Sequence, residues 1–189
     1  MLIAHKPELQ ELFELIARLS FRQGDFTLAS GQKSNYYIDC RMTTLSARGA
    51  YLIGRLLYDR IQALPIKVDA VGGMTLGADP IVSAVLYRAA EVGEDLNGFL
   101  VRKEAKGHGT GRQVEGHLQP WMRVVVVEDV VSTGGSSIKA IEAIRRDAPQ
   151  AEIVAVLSLV DRAMGGAERF KAAGIPYQSL FGIDAFLRE

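Results

Sequence analysis

One cysteine, Cys40, and one tryptophan, Trp121, occur in 189 residues, and aromatics make up only 7% of the chain. A lone thiol cannot close an internal disulfide, and no Cys/His spacing resembles a zinc site. Neither oxidative stapling nor structural zinc is expected, which suggests a reducing compartment, the cytoplasm. Charge of one sign is also missing. The 22 Lys and Arg balance the 22 Asp and Glu, so there is no global field to draw the chain onto nucleic acid or an anionic membrane, and any anion site must be local. Long apolar runs are absent: residues 81–86 and 151–160 fall far short of the ~20 residues of a membrane span. The first residues, Met1 to Pro7, lack the basic-then-apolar pattern of a secretory leader. Neither a nucleic-acid nor a membrane partner is expected.

What is present is a core. With 48% hydrophobic residues, a chain of this length buries about 70% of the surface it exposes when unfolded, and disorder is excluded. The length itself fits one domain, since the prior is roughly 150 residues per domain.

Leu9, Leu12, Phe13, Ile16 and Leu19 recur at helical spacing and predict an amphipathic first helix. Residues 26–39 mix strand formers with turn formers and predict short strands around a loop. Ser46 caps a helix running to about Ala63. A strand over 68–71 then meets glycines, Gly72, Gly73 and Gly77, that turn the chain, after which Asp79 serves as a helix cap and Pro80 sits in the first turn. Strands over 98–101, 124–127, 153–160 and 177–181 follow. Helices lie between them, one over 136–146 and one closed by Gly174. Continuous apolar strands alternating with amphipathic helices predict an α/β fold, an open, mostly parallel sheet covered on both faces. Cys40 is expected to be a packed thiol and Trp121 a hydrophobic anchor.

The strongest chemical signal is Val124-Val125-Val126-Val127-Glu128-Asp129-Val130-Val131-Ser132-Thr133-Gly134-Gly135-Ser136-Ser137, with Thr133 to Ser137 at the start of a helix. A buried strand delivers two carboxylates at its C-terminal end, where open parallel sheets place ligands. The small residues beyond it open a helix whose unpaired N–H groups and dipole suit a phosphate. Carboxylates repel phosphate but accept from sugar hydroxyls. Acid pair and cradle together suit a phosphorylated sugar, although such a loop also serves elsewhere as a plain chain reversal. Rival phosphate motifs fail on inspection. Gly72 and Gly77 have a P-loop's first spacing, but Ala78 and Asp79 stand where Lys and Ser/Thr are needed. Gly107, Gly109 and Gly111 do not make G-x-G-x-x-G.

The second signal is the stretch 102–116, in which Arg102, Lys103, Lys106, Arg112 and His108 are interleaved with glycines. A loop so cationic and so glycine-rich suits a lid that neutralises a departing pyrophosphate and excludes water. Charged glycine loops are also common as solvated surface.

These residues resemble the phosphoribosyltransferase signature, and nearly the whole chain resembles the orotate phosphoribosyltransferase family. Residues 26–31 and 34–39, the 102–116 loop, 128–136, Asp161-Arg162 and Phe181-Gly182-Ile183-Asp184 occur in that family's order and spacing. The resemblance implies a type I phosphoribosyltransferase fold, one domain over 1–189 with an N-terminal hood at 1–45 and a core at 46–189. It implies transfer of the phosphoribosyl group of 5-phosphoribosyl-1-pyrophosphate to orotate, with Mg²⁺ held mainly by the substrate's pyrophosphate.

For the donor it implies Glu128 and Asp129 on the ribose hydroxyls, and Val130, Val131, Ser132, Thr133, Gly134, Gly135 and Ser136 around the 5′-phosphate. Arg102, Lys103, Lys106 and His108 serve the pyrophosphate, and Lys106, His108 and Asp129 are the catalytic candidates. For orotate it implies Tyr36, Tyr37 and Ile38 against the ring, Ser132 beside it and Arg162 on the carboxylate, where a guanidinium fork suits a planar anion. The loop residue Lys106 would reach a neighbouring subunit's site, which makes the expected assembly a homodimer. Two departures stand out: some family members carry lysine where this chain has Ala29 and Leu76, and Lys33 is the candidate substitute. A purine-base transferase would share the cradle without needing Arg162, and a non-catalytic sugar-diphosphate sensor would not need the lid.

Overall fold

The computed structural model describes residues 6–27, 31, 33–104 and 112–188. Helix α1 (Lys6–Leu19) lays Leu12 and Ile16 into the core, fully buried, as its apolar spacing predicts. An antiparallel hairpin follows, β1 (Phe21–Thr27) with β2 (Lys33–Ile38), and then a short α2 (Arg41–Thr44). Helix α3 (Ala47–Gln62) begins at Ser46, whose Oγ accepts the Gly49 N–H at 3.1 Å, the expected N-cap. Glu11 holds Arg48 at 2.6 Å and Glu8 holds Arg55 at 2.9 Å, so two ion pairs fasten α1 along α3.

The main sheet is built from β3 (Ala70–Met74), β4 (Asn97–Val101), β5 (Val114–Gly116), β6 (Arg123–Val131), β7 (Glu152–Asp161) and β8 (Tyr177–Gly182). Its order is β5-β4-β3-β6-β7-β8, and every neighbouring pair is parallel except β4 with β5. The crossovers carry α4 (Asp79–Glu91), α5 (Gly135–Asp147) and α6 (Gly166–Ala172), and α7 (Asp184–Leu187) closes the described chain.

The four valines of β6 show why the strand reads as one apolar run. Val125 and Val127 face a core shared with α1, α3 and α4, whereas Val124 and Val126 face a second core with Ile141 and Ile144 of α5 and Phe170 of α6. Both faces are covered, so alternation disappears from the sequence.

The structure corrects several expectations. Gly72 and Gly73 lie within β3 rather than in a turn. A Cβ on Gly72 would overlap the Phe99 ring of β4, and one on Gly73 would overlap the Val127 carbonyl oxygen of β6, so β3 lies too close to both neighbours there for side chains. Asp79 does not cap α4. The cap position is Ala78, Asp79 is the first helical residue, and its Oδ1 is buried without a partner among the described residues. Pro80 does occupy the first turn. Trp121 is no anchor, since it is 71% exposed, whereas Cys40 is fully buried as expected. Strand β6 continues past Val127 through the acid pair and stays paired to β7 up to Val131. The short elements α2, β5 and α7 have too few residues to display a period. Among the described residues, no helix is long and apolar enough to cross a membrane.

Candidate active site

Strand order reverses between β3 and β6: β4 lies outward of β3 on one side, and β7 and β8 lie outward of β6 on the other. The connections leaving these two central strands run to opposite faces, which opens a crevice at their carboxyl ends. There the structure has a cleft of about 280 Å³, lined by Tyr37, Ile38, Asp39 and Arg41 from the hairpin side and by Met74 to Gly77 after β3. Lys103, Glu128, Asp129, Val130 and Ser136 complete it.

The acid pair is held rather than dangling. Ser137, only 1% exposed, donates its hydroxyl to Glu128 Oε2, and the Val130 N–H donates to Asp129 Oδ1 at 2.9 Å. Burial pushes the Glu128 carboxyl up to about 7, the adjacent Asp129 charge adds to this, and the Ser137 and Ser136 hydroxyls oppose it. Asp129 is also raised, again first by burial. The loop after β3 closes over it, and a Cβ on Gly77 would stand 2.6 Å from Asp129 Oδ1.

Beyond the acids, Ser132 to Ser136 lead into α5. Gly134 occupies the helix cap with φ of +72°, a left-handed conformation that glycine adopts without steric cost, and Thr133 and Ser136 are exposed beside it. The Phe170 ring lies beneath, 3.0 Å from where a Gly134 Cβ would be. Gly134 offers the 13-residue helix no side-chain cap, and of its first N–H groups that of Ser137 is held by the Glu128 carboxylate. Arg169 of α6 comes close as well, its Nη1 lying 3.5 Å from the position of a Gly135 Cβ.

A third group gathers at the end of β7. Arg162 takes its place through its N–H to the Val131 carbonyl at 2.8 Å, and Asp161 Oδ1 accepts the next N–H, that of Ala163, at 2.8 Å. Its guanidinium lies 4.9 Å from the Tyr36 ring centroid, and it donates from Nε to the Tyr36 phenol oxygen at 3.1 Å and from Nη1 to Ser132 Oγ at 3.4 Å. Tyr36 is itself backed by Phe21 at 5.9 Å, which meets Phe186 at 5.7 Å. A short C-terminal helix thus steadies a ring at the crevice rim.

Of the residues singled out from sequence, Glu128, Asp129, Val130, Ser136, Lys103, Tyr37 and Ile38 meet in the cleft, and Tyr36, Ser132 and Arg162 meet one another. Thr133, Gly134 and Gly135 form the turn into α5, while Val131 is fully buried beneath it. Arg102 points elsewhere, with its Nη1 3.7 Å from Glu115 Oε1. Lys33 donates to Thr27 Oγ1 at 2.9 Å, across its own hairpin, and Leu76 is 65% exposed on the cleft rim. Ala29, Lys106 and His108 lie outside the described residues. Sequence reasoning missed Arg41 and Arg169, because their partners are brought near by tertiary structure and no local motif marks them; Ser137, expected only as a small residue of the cradle, instead donates its hydroxyl to Glu128.

A model of the phosphoribosyl transferase domain family matches residues 44–173. The chain is 46% identical over 183 residues to a Rhodopirellula baltica protein named orotate phosphoribosyltransferase, covering 95% of this chain and 94% of that one. A protein of the same name from Thermosynechococcus vestitus is 51% identical over 175 residues, covering 92% and 90%. The chain belongs to the orotate phosphoribosyltransferase family. Among solved structures of this family, the Mycobacterium tuberculosis H37Rv orotate phosphoribosyltransferase in complex with 5-phospho-alpha-D-ribosyl 1-diphosphate superposes with a TM-score of 0.79 at 37% identity. That match covers 95% of this chain and 99% of the other.

Proposed function

We propose that this protein transfers the phosphoribosyl group of 5-phosphoribosyl-1-pyrophosphate to orotate, giving orotidine 5′-monophosphate and pyrophosphate, a step of de novo pyrimidine (UMP) synthesis. The observation that carries this is the meeting, at one switch point, of an acid pair, an uncapped helix start and the Tyr36–Ser132–Arg162 cluster. The family relatives that share almost the full length support it.

On this reading Glu128 and Asp129 accept from the ribose hydroxyls, and the N–H groups from Thr133 to Ser136 receive the 5′-phosphate. Arg162, with Ser132, receives the orotate carboxylate, where a guanidinium makes two parallel bonds. Tyr36, Tyr37 and Ile38 line the ring. Lys103, with Arg102, Lys106 and His108 of the basic loop, serves the pyrophosphate. Orotate N1 attacks the anomeric carbon as the bond to pyrophosphate breaks, so positive charge builds on the ribose ring and no protein nucleophile is required. The protein contributes by aligning the two substrates and by facing fixed charge toward the departing anion.

On this reading Mg²⁺ arrives on the donor's pyrophosphate, whose oxygens are the ligands this cation prefers. There it supplies charge neutralisation. A homodimer is part of the proposal, supported by a groove of about 490 Å³ lined by Leu45, Tyr51 and Tyr87 that leaves apolar surface uncovered on this chain. Cytoplasmic location is proposed with it. The Arg162 cluster favours orotate over a purine base, which has no carboxylate to engage. The test is the loss of orotate absorbance with Mg²⁺ and the sugar diphosphate. Turnover must require every component, and turnover with adenine or guanine but not orotate would overturn the assignment.

A further inference from the structure

We infer that Arg41, braced by Asp39, is a binding residue for the pyrophosphate arm of the sugar-diphosphate donor. The inference rests on the donor reading above and extends it to a residue outside the acid pair, the cradle and the basic loop.

Arg41 opens α2, directly after the β2 hairpin strand. The Asp39 carboxylate accepts from its Nε at 2.8 Å, from its Nη2 at 2.7 Å and from its backbone N–H at 3.1 Å. Cys40, between them, is fully buried, so the turn is pinned to the core. One edge of the guanidinium is thereby fixed. Among the described residues, Nη1 has no acceptor, and the side chain is 49% exposed on the cleft wall. The rotamer entropy that an arginine ordinarily loses on binding an anion is already lost here.

Charge decides what this group is for. Three carboxylates line the cleft, Asp39, Glu128 and Asp129, against two cations, Arg41 and Lys103. A cleft with that balance repels a free pyrophosphate unless its cations face the anion directly. Among the other described cations, Arg102, beside Glu115, and Lys33, donating to Thr27, do not line this cleft, and Arg162 is assigned to the orotate carboxylate.

Position decides which part of the donor meets it. Thr133, Gly134 and Gly135 do not line this cleft, whereas Ser136 does. With the 5′-phosphate at the start of α5 and the ribose at Glu128 and Asp129, the remaining arm points toward the Thr75–Gly77 loop, Lys103 and Arg41. The free edge of the guanidinium then presents two donors to phosphoryl oxygens.

Titration calorimetry of Arg41→Ala, Arg41→Gln, Arg41→Lys and the unmodified protein, with Mg²⁺-pyrophosphate and ribose 5-phosphate as separate probes, tests this. Donor KM and Tm are measured on each. Loss of the charged donors in Arg41→Ala and Arg41→Gln is expected to weaken pyrophosphate binding and raise donor KM about 10–100-fold. Ribose 5-phosphate affinity should stay unchanged, and Arg41→Lys should recover part of the loss. Unchanged pyrophosphate affinity in a folded variant overturns the assignment. So does an equal loss for ribose 5-phosphate, which is the signature of a purely structural Asp39–Arg41 brace. Absence of any turnover by the unmodified protein with donor and orotate would sink the donor reading itself, an outcome separate from these.

Discussion

Replacing Glu128 with glutamine should make the protein more stable and a poorer binder of its donor. The carboxyl is pushed from 4.5 to about 7, chiefly by burial at the end of β6. A rise of this size corresponds to about 3 kcal/mol. The sign follows from proton binding: the native state holds the proton more tightly than the unfolded chain. Stability is therefore greatest below 4.5 and is lost as pH rises toward about 7. Glutamine keeps the acceptor for Ser137 and never ionises. The variant should match the parent near pH ~4.5 and exceed it by about 3 kcal/mol near pH ~8, or about 6–12 °C in Tm for a chain of this size. Urea and thermal unfolding across that range read the gap directly. Donor KM should move the other way, rising about 10–100-fold with the loss of a charged acceptor. In the parent, donor KM should also climb as pH falls below about 7, whereas the variant stays flat. A stability gap independent of pH, or a variant less stable at high pH, would refute the burial argument.

Removing the guanidinium in Arg162→Ala should raise orotate KM about 10–100-fold and leave donor KM alone. Equal effects on both substrates, by steady-state kinetics, would count against its place on the carboxylate. In Gly134→Ala the new Cβ meets Phe170 at 3.0 Å in a backbone with φ of +72°. The left-handed conformation alone costs roughly 1–2 kcal/mol, so Tm should drop and donor KM should rise, and an unchanged donor KM would argue against the turn as a phosphate seat. For Lys106→Ala, kcat should fall far more than orotate affinity, and retention of full kcat would remove the basic loop from the chemistry.

The sequence reveals most where one residue type does one job. Four consecutive valines announce a strand covered on both faces, and Ser46 announces a helix start; both stand as expected. Glycine misleads because it has two uses. Gly72 and Gly73 look like turn formers but let β3 press against Phe99 and Val127, a packing need that no local pattern displays. Asp79 looks like a cap for the same reason, since its type fits and only the fold shows that Ala78 holds the position. Within the site, Glu128 and Asp129 are legible as neighbours on one strand. Arg162 with Tyr36 is separated by 126 residues, and Arg41 faces the acids only because the hairpin folds over the crevice. Such pairings belong to topology and reach the sequence only through resemblance.

The interleaving of β6 and β7 has an evolutionary consequence. On the proposed reading, the grip on the sugar belongs to one central strand and its turn, while the cluster assigned to the acceptor is assembled from a peripheral hairpin and the tip of the next strand. Neighbouring parallel strands keep a spacing of about 4.8 Å, so the two halves stay in registry even when one is rewritten. Descendants of such a scaffold can exchange one heterocycle for another by redrawing the hairpin, with the machinery that activates the pentose inherited intact.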